Sequence, residues 1–220
     1  QEAHMYEEIY EKLAQAVIDG EVDDVKELAT QALDDGLDPL TCINEGLTKG
    51  IQRVGELFSS GEYFLPELII GADVMKAGLA ILEPAMLADQ KREVAGKVVL
   101  GTVKGDLHEI GKTLVGTMLT ANGFQVFDIG VDKSSADFIA AIKEEDATIV
   151  GASALLTTTM LQQKELIKAI EEAGLREQVK IMVGGAPVTA SYANEIGADG
   201  YAEDAISAVD MAFRLIDAPA

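Results

Sequence analysis

One stretch, Lys104-Gly-Asp-Leu-His-Glu-Ile-Gly111, gathers the residue types best suited to do chemistry. It holds His108, the one histidine of the folded body once Gln1–His4 is read as a remnant ahead of a start at Met5. A neutral imidazole is a common metal ligand, and a nearby carboxylate such as Asp106 can hold its second nitrogen and fix the tautomer. Gly105 and Gly111 flank the pair and leave out side chains where a bulky, flat ligand would approach the backbone. Alone, an Asp-x-His loop is more often a surface turn, so its meaning depends on what shares its end of the fold. Glu109 and Lys112 flank the motif and are read as solvent-facing or helix-cap residues.

Two other stretches bear on that question. Gly151-Ala-Ser-Ala-Leu-Leu-Thr-Thr-Thr159 is rich in hydroxyls, which also serve as ordinary helix caps. Gly184-Gly185-Ala-Pro187 is a glycine pair that also turns a chain without any ligand. All three stretches follow apolar runs that read as strands. In an alternating α/β sheet, ligands bind outside the carboxyl ends of such strands. Together they describe a pocket with one metal ligand, small residues and hydroxyl donors, suited to a large and mostly apolar ligand with a polar tail.

The elements that must position these residues follow from periodicity. Strands are expected at Lys97–Val103, Gln125–Ile129, Thr148–Ser153, Lys180–Val183 and near Asp199–Tyr201, interleaved with helices near 109–122, 134–145, 158–174, 188–196 and 204–216. That alternation argues for a doubly wound, flavodoxin-like, five-stranded parallel sheet over residues 96–217. No Gly-x-Gly-x-x-Gly or Walker loop follows the first strand. Residues 5–90 read instead as a four-helix bundle, with helices over 6–19, 22–33, from Asp38-Pro39 to Phe58, and from Phe64-Leu65-Pro66-Glu67 to Leu82. The charged connection Asp89–Gly96 is the expected boundary.

Composition narrows the partners. Among 220 residues, 17 basic and 38 acidic side chains give a formal charge of −21. Such a surface repels nucleic-acid phosphates and anionic membranes, so proteins or small molecules are the expected partners. The single cysteine, Cys42, can form no internal disulfide and reads as a small core residue. No apolar run is long enough to span a bilayer, and a cytoplasmic location is expected.

With the motifs in place, a resemblance emerges. Asp106-x-His108-x-x-Gly111, then 41 residues, Ser153-x-Leu155, then 28 residues, Gly184-Gly185, resembles the cobalamin-binding signature of methionine synthase and the corrinoid methyltransferase proteins. The helical segment, with Gly61-Glu-Tyr-Phe-Leu-Pro-Glu67, is similar to the cap domain that precedes this fold in the methyltransferase group. The likeness covers residues 5–217 and points most closely to the small stand-alone corrinoid proteins of methylamine, methanol, betaine and aryl-ether systems.

The resemblance implies a cobalamin held base-off/His-on, with His108 as the lower axial ligand of cobalt. It further implies that Asp106 binds the other imidazole nitrogen and that Thr159, where methionine synthase has serine, continues the relay. Gly111, Gly184 and Gly185 would leave room for the displaced nucleotide tail, Ser153 would bond its base, and Leu155 and Thr157 would line its channel. Phe64 and Leu68 would form an apolar lid over the upper face, moving on the Asp89–Gly96 hinge. The implied function is a corrinoid methyl carrier, cycling between Co(I) and methyl-Co(III) and not catalytic alone. Its implied partners are a substrate-specific methyltransferase, an acceptor methyltransferase acting on a thiol or folate, and a reductive activase. The alternatives are a B12-binding sensor, an adenosylcobalamin mutase subunit and a flavodoxin-like interaction domain.

Overall fold

A computed structural model describes residues 2–86 and 94–217. Contacts divide the chain into a helical unit, residues 1–93 with the short segment 120–123, and a sheet unit holding the rest. The expected connection Asp89–Gly96 lies largely outside the described residues.

In the helical unit, α1 (Glu2–Asp19) begins ahead of Met5, and α2 is Val22–Asp34. The short α3 (Pro39–Thr41) opens on Asp38, whose carboxylate accepts the Thr41 N–H at 2.8 Å. The helix expected to run unbroken from there widens into a π-helical turn, Cys42–Thr48, before resuming as α4 (Lys49–Ser60). Glycines explain how closely this segment meets α1. A Cβ on Gly46 would lie 2.8 Å from Leu13, and one on Gly50 would lie 2.6 Å from the Ala14 carbonyl oxygen. Gly61 (φ +80°) ends α4 in the left-handed conformation. Then α5 (Leu65–Leu82) starts behind Phe64, whose N–H donates to the Glu67 carboxylate at 2.9 Å. Cys42 is fully buried, and burial pushes its thiol up to about 11, as befits a core residue and not a nucleophile.

The sheet unit has β1 (Lys97–Val103), β2 (Gln125–Lys133), β3 (Ile149–Ser153), β4 (Lys180–Gly184) and β5 (Gly200–Ala202), all parallel, in the order β2-β1-β3-β4-β5. The intervening helices are α6 (Ile110–Ala121), α7 (Ser135–Glu145), α8 (Leu161–Glu172), α9 (Ala190–Glu195) and α10 (Ala205–Asp217). This is the flavodoxin-type order, with its switch point between β1 and β3. The inner strands β1, β3 and β4 are almost entirely buried, as strands covered on both faces should be. Register does the positioning: Thr102 pairs with Ser153, and Ser153 with Gly184. The three chemically suggestive stretches therefore leave the sheet side by side. β2 runs four residues beyond its expected end and shifts register twice against β1, from Leu100↔Asp128 to Gly101↔Gly130 and then to Val103↔Lys133. Among the described residues, no helix is long and apolar enough to cross a membrane.

Since the Ala14 carbonyl is backbone and cannot swing aside, Gly50→Ala should destabilise the helical unit by about 1–3 kcal/mol. Thermal unfolding followed by far-ultraviolet circular dichroism checks this, and an unchanged Tm would show that the two helices can part at no cost.

Candidate functional site

The site is built around Asp106, which is fully buried although it lies in a loop. Its Oδ1 accepts the His108 ring Nδ1–H at 2.7 Å and the His108 backbone N–H at 3.1 Å. Its Oδ2 accepts the Thr159 hydroxyl at 2.6 Å and the Leu155 N–H at 2.7 Å. Burial pushes the Asp106 carboxyl up, but these four donors outweigh it and hold the group well below the usual carboxylate range. An ionised carboxylate can only accept, so Nδ1 must carry the proton. In the neutral ring Nε2 is then left with its lone pair, ready for a metal.

Further bonds brace the loop. The buried Thr102 hydroxyl donates to the His108 carbonyl at 2.9 Å. Gly105 N–H donates to Asp132 Oδ1 at 2.7 Å, and Asp132 N–H donates to the Asp106 carbonyl at 3.0 Å. The buried Thr159 lies within reach of two acceptors, and its single proton goes to the nearer, charged Asp106 rather than to the Leu156 carbonyl at 3.0 Å. Its oxygen then accepts the Leu156 N–H at 3.2 Å.

Beside the loop opens a cavity of about 560 Å³, lined by His108, Gly111, Ser153, Leu155, Gly184 and Gly185 together with apolar side chains such as Leu100, Val115 and Met182. The three glycines differ in kind. A Cβ on Gly111 would meet nothing within 4 Å. A Cβ on Gly184 would lie 2.9 Å from the Ala202 carbonyl oxygen, and one on Gly185 (φ +125°) only 1.8 Å from that of Ala154. The glycine pair is therefore demanded by the backbone itself, whereas Gly111 guards empty space.

The other expected site residues are placed unevenly. Ser153 is half-buried on the cavity wall, and Leu155 is exposed there. Thr157 is exposed and is not among the lining residues. In the helical unit Phe64 is 67% exposed, whereas Leu68 is wholly buried and offers no free surface as a lid. Lys112 departs from its expected solvent or cap role. It is 4% exposed, lines the cavity, and its ammonium pairs with Asp128 of β2, because an interior lysine needs a counter-charge.

Sequence reading missed three supports. Asp132 and Thr102 are two. The third is the buried Gln163, whose side-chain amide donates to the Ala152 carbonyl at 2.9 Å and the Gly184 carbonyl at 3.0 Å, stapling the ends of β3 and β4. A glutamine within the helical run of α8 gave no such sign, and Asp132 fell between the expected strand end at Ile129 and the helix expected from 134, where an acid reads as an ordinary loop residue.

Around His108, whose side chain is 51% exposed, Leu107 and Ile110 are 72% and 77% exposed. Two large apolar side chains standing in solvent beside a half-exposed imidazole form an apolar rim for a flat partner. Among the described residues no three His, Cys, Asp or Glu side chains cluster to hold a metal ion.

Comparison with known proteins agrees with this geometry. Two families, both described as B12 binding domain, match residues 96–210 and residues 9–83. A corrinoid protein of Desulfitobacterium hafniense (strain Y51) is 48% identical over 210 residues, covering 94% of this chain and 97% of the relative. Dimethylamine corrinoid protein 1 of Methanosarcina mazei is 44% identical over 210 residues, covering 96% of this chain and 97% of the relative. Among solved structures, the methanol:cobalamin methyltransferase complex MtaBC of Methanosarcina barkeri aligns with a TM-score of 0.87 and 31% identity, over 96% of this chain and 81% of the matched one.

The depressed Asp106 carboxyl has a consequence for stability. A group whose folded value lies below its unfolded value, about 3.9 for aspartate, stabilises the fold above that value and loses the contribution as pH falls toward the folded one. Asp106→Asn should therefore flatten the fall in stability between about pH 5 and pH 2. Urea unfolding across that range checks it, and equal slopes for the two proteins would count against the ionised-carboxylate assignment.

Proposed function

The chain belongs to the B12-binding corrinoid proteins, and from that membership we propose that it is a methyl carrier, not catalytic alone, working between two methyltransferases in one-carbon metabolism. The observation that carries the reading is the pairing of a tautomer-fixed His108 with a cavity into which Gly111 opens. When bound, the corrinoid supplies a cobalt centre able to take a methyl group from one methyltransferase and yield it to another acting on a thiol or folate.

The chain's own residues do the rest. His108 would hold the cobalt through Nε2, the ring nitrogen that Asp106 leaves free. Asp106 holds the Nδ1 proton and Thr159 holds Asp106, so the imidazole's basicity as a ligand is set two bonds away. Gly111, Ser153, Gly184 and Gly185 would hold the cofactor's nucleotide tail, with Leu155 beside them and Thr157 on the outer edge of that loop. Phe64, the exposed member of the expected lid pair, would supply an apolar side chain to shield the bound cofactor. The partners are a substrate-specific methyltransferase, an acceptor methyltransferase and a reductive activase.

The full chain, incubated with hydroxocobalamin, desalted and reduced to the Co(II) state, should retain cobalamin stoichiometrically and show nitrogen hyperfine coupling by EPR. His108→Ala should keep the fold and lose that coupling; a variant spectrum identical to that of the parent would remove His108 from the ligand role.

Gly111→Leu should fill the cavity mouth, leave Tm within about 0.5 kcal/mol equivalent of the parent, and abolish retention on desalting. Undiminished retention by this variant would show that the tail takes another route.

A further inference from the structure

The Asp-x-His loop is gripped from a second strand as well as by its own hydrogen bonds. Asp132, near the end of β2, makes a reciprocal pair with it: its carboxylate accepts the Gly105 N–H at 2.7 Å, and its own N–H donates to the Asp106 carbonyl at 3.0 Å. The backbone of Asp132 is unusual, with φ +53°, and only one other non-glycine residue among those described has positive φ. L-residues reach this region only at a steric cost, and aspartate is among the few that do so readily.

Register explains how Asp132 comes to be there. Between Gly101↔Gly130 and Val103↔Lys133, β1 advances two residues while β2 advances three. A bulge of this kind leaves one residue out of the ladder and re-aims it. Here it frees the Asp132 N–H from strand pairing and turns both of its polar groups toward the loop beyond β1. Gly105 (φ +82°) is itself in a left-handed turn, so its N–H would otherwise have no place in the ladder.

We propose that Asp132 is a positioning residue for the axial histidine. It fixes the Lys104–Gly105 peptide through the Gly105 N–H and the Asp106–Leu107 peptide through the Asp106 carbonyl, the two units on either side of Gly105–Asp106, hence the Asp106 carboxylate, hence the orientation and tautomer of His108. The inference rests on the reading of His108 as the cobalt ligand. The Asp106 side chain is held by Thr159, Leu155 and His108, but its peptide is held by Asp132 on the carbonyl side and by the Val103 carbonyl, which accepts the Asp106 N–H at 3.1 Å. Without the Asp132 carboxylate the Gly105 peptide can rotate, and a ligand constellation tolerates only about 0.5 Å of such drift.

Two substitutions separate positioning from mere folding. Asp132→Gly relieves the positive φ but deletes the acceptor, whereas Asp132→Asn keeps both the tolerance of that φ and a side-chain oxygen. In the full chain loaded with hydroxocobalamin and reduced to Co(II), Asp132→Gly should give two EPR populations, one lacking histidine nitrogen coupling, and about tenfold weaker cofactor retention. In the cofactor-free protein, nitrogen-15 shifts of the His108 ring should change from a single Nδ1–H tautomer to a mixture. Asp132→Asn should behave as the parent in both measurements. A Asp132→Gly protein with full nitrogen coupling and a single tautomer, whatever its Tm, overturns the proposal. If the parent itself shows no histidine coupling, the ligand reading fails, and the tautomer in the cofactor-free protein alone decides the role of Asp132.

Discussion

The buried carboxylate of Asp106 is the interaction on which the rest of this site depends. An ionised carboxylate out of water is costly unless its lone pairs are satisfied, and here four donors satisfy them. Those donors come from two separate loops, the one after β1 and the one after β3. The charge therefore welds the two loops together, and the price of burying it is also what fixes the imidazole. Removing one donor leaves the charge less fully satisfied and weakens the rest, which makes the cluster cooperative rather than a sum of pairs. The same logic applies on a smaller scale to Lys112 and Asp128, an interior ammonium answered by one carboxylate.

Sheet register translates that local demand into a site. Thr102, Ser153 and Gly184 stand in one row across β1, β3 and β4, so three segments far apart in sequence emerge together at the carboxyl edge. Gln163 locks two of the three ends from behind. The glycine pair after β4 lets the backbone pass within contact distance of the loop after β3, and no side chain could occupy Gly185. The cavity is thus a by-product of tight backbone packing on one side and of an omitted side chain, Gly111, on the other.

Much of this was legible in the sequence because it rests on local patterns. The strand and helix alternation and the Asp38-Pro39 helix start are written in residues close to one another, and each of the three motifs is itself short. What was not legible depended on distance or on geometry. The π-helical turn at Cys42–Thr48 sits where α1 comes close, and nothing in that segment alone signals it. The extra length of β2 and its two register shifts arise only when β1 lies beside it. Lys112 looked like a helix-cap lysine because its partner, Asp128, is sixteen residues away on a strand. Leu68 looked like a candidate lid residue because a helix start exposes some of its neighbours, Phe64 among them, and only packing decides which.

The donor set also separates two tasks that a metalloprotein often combines. A single histidine gives one bond to a metal, and no second or third protein ligand stands near it among the described residues. On the proposed reading, retention of the cofactor would draw on the apolar rim of Leu107 and Ile110 and on the cavity beside it, where burial of apolar surface contributes about 25 cal/mol per Å². On that reading the histidine would serve as an adjustable contact whose strength is set by Asp106 and Thr159. A protein that grips a ligand by its periphery can let the central bond weaken and reform without letting the ligand go. Such a division would fit a buried hydrogen-bond cluster concentrated behind one imidazole and a cavity whose walls are mostly apolar, with Lys112, Ser153, Glu203 and Asp204 among the polar exceptions.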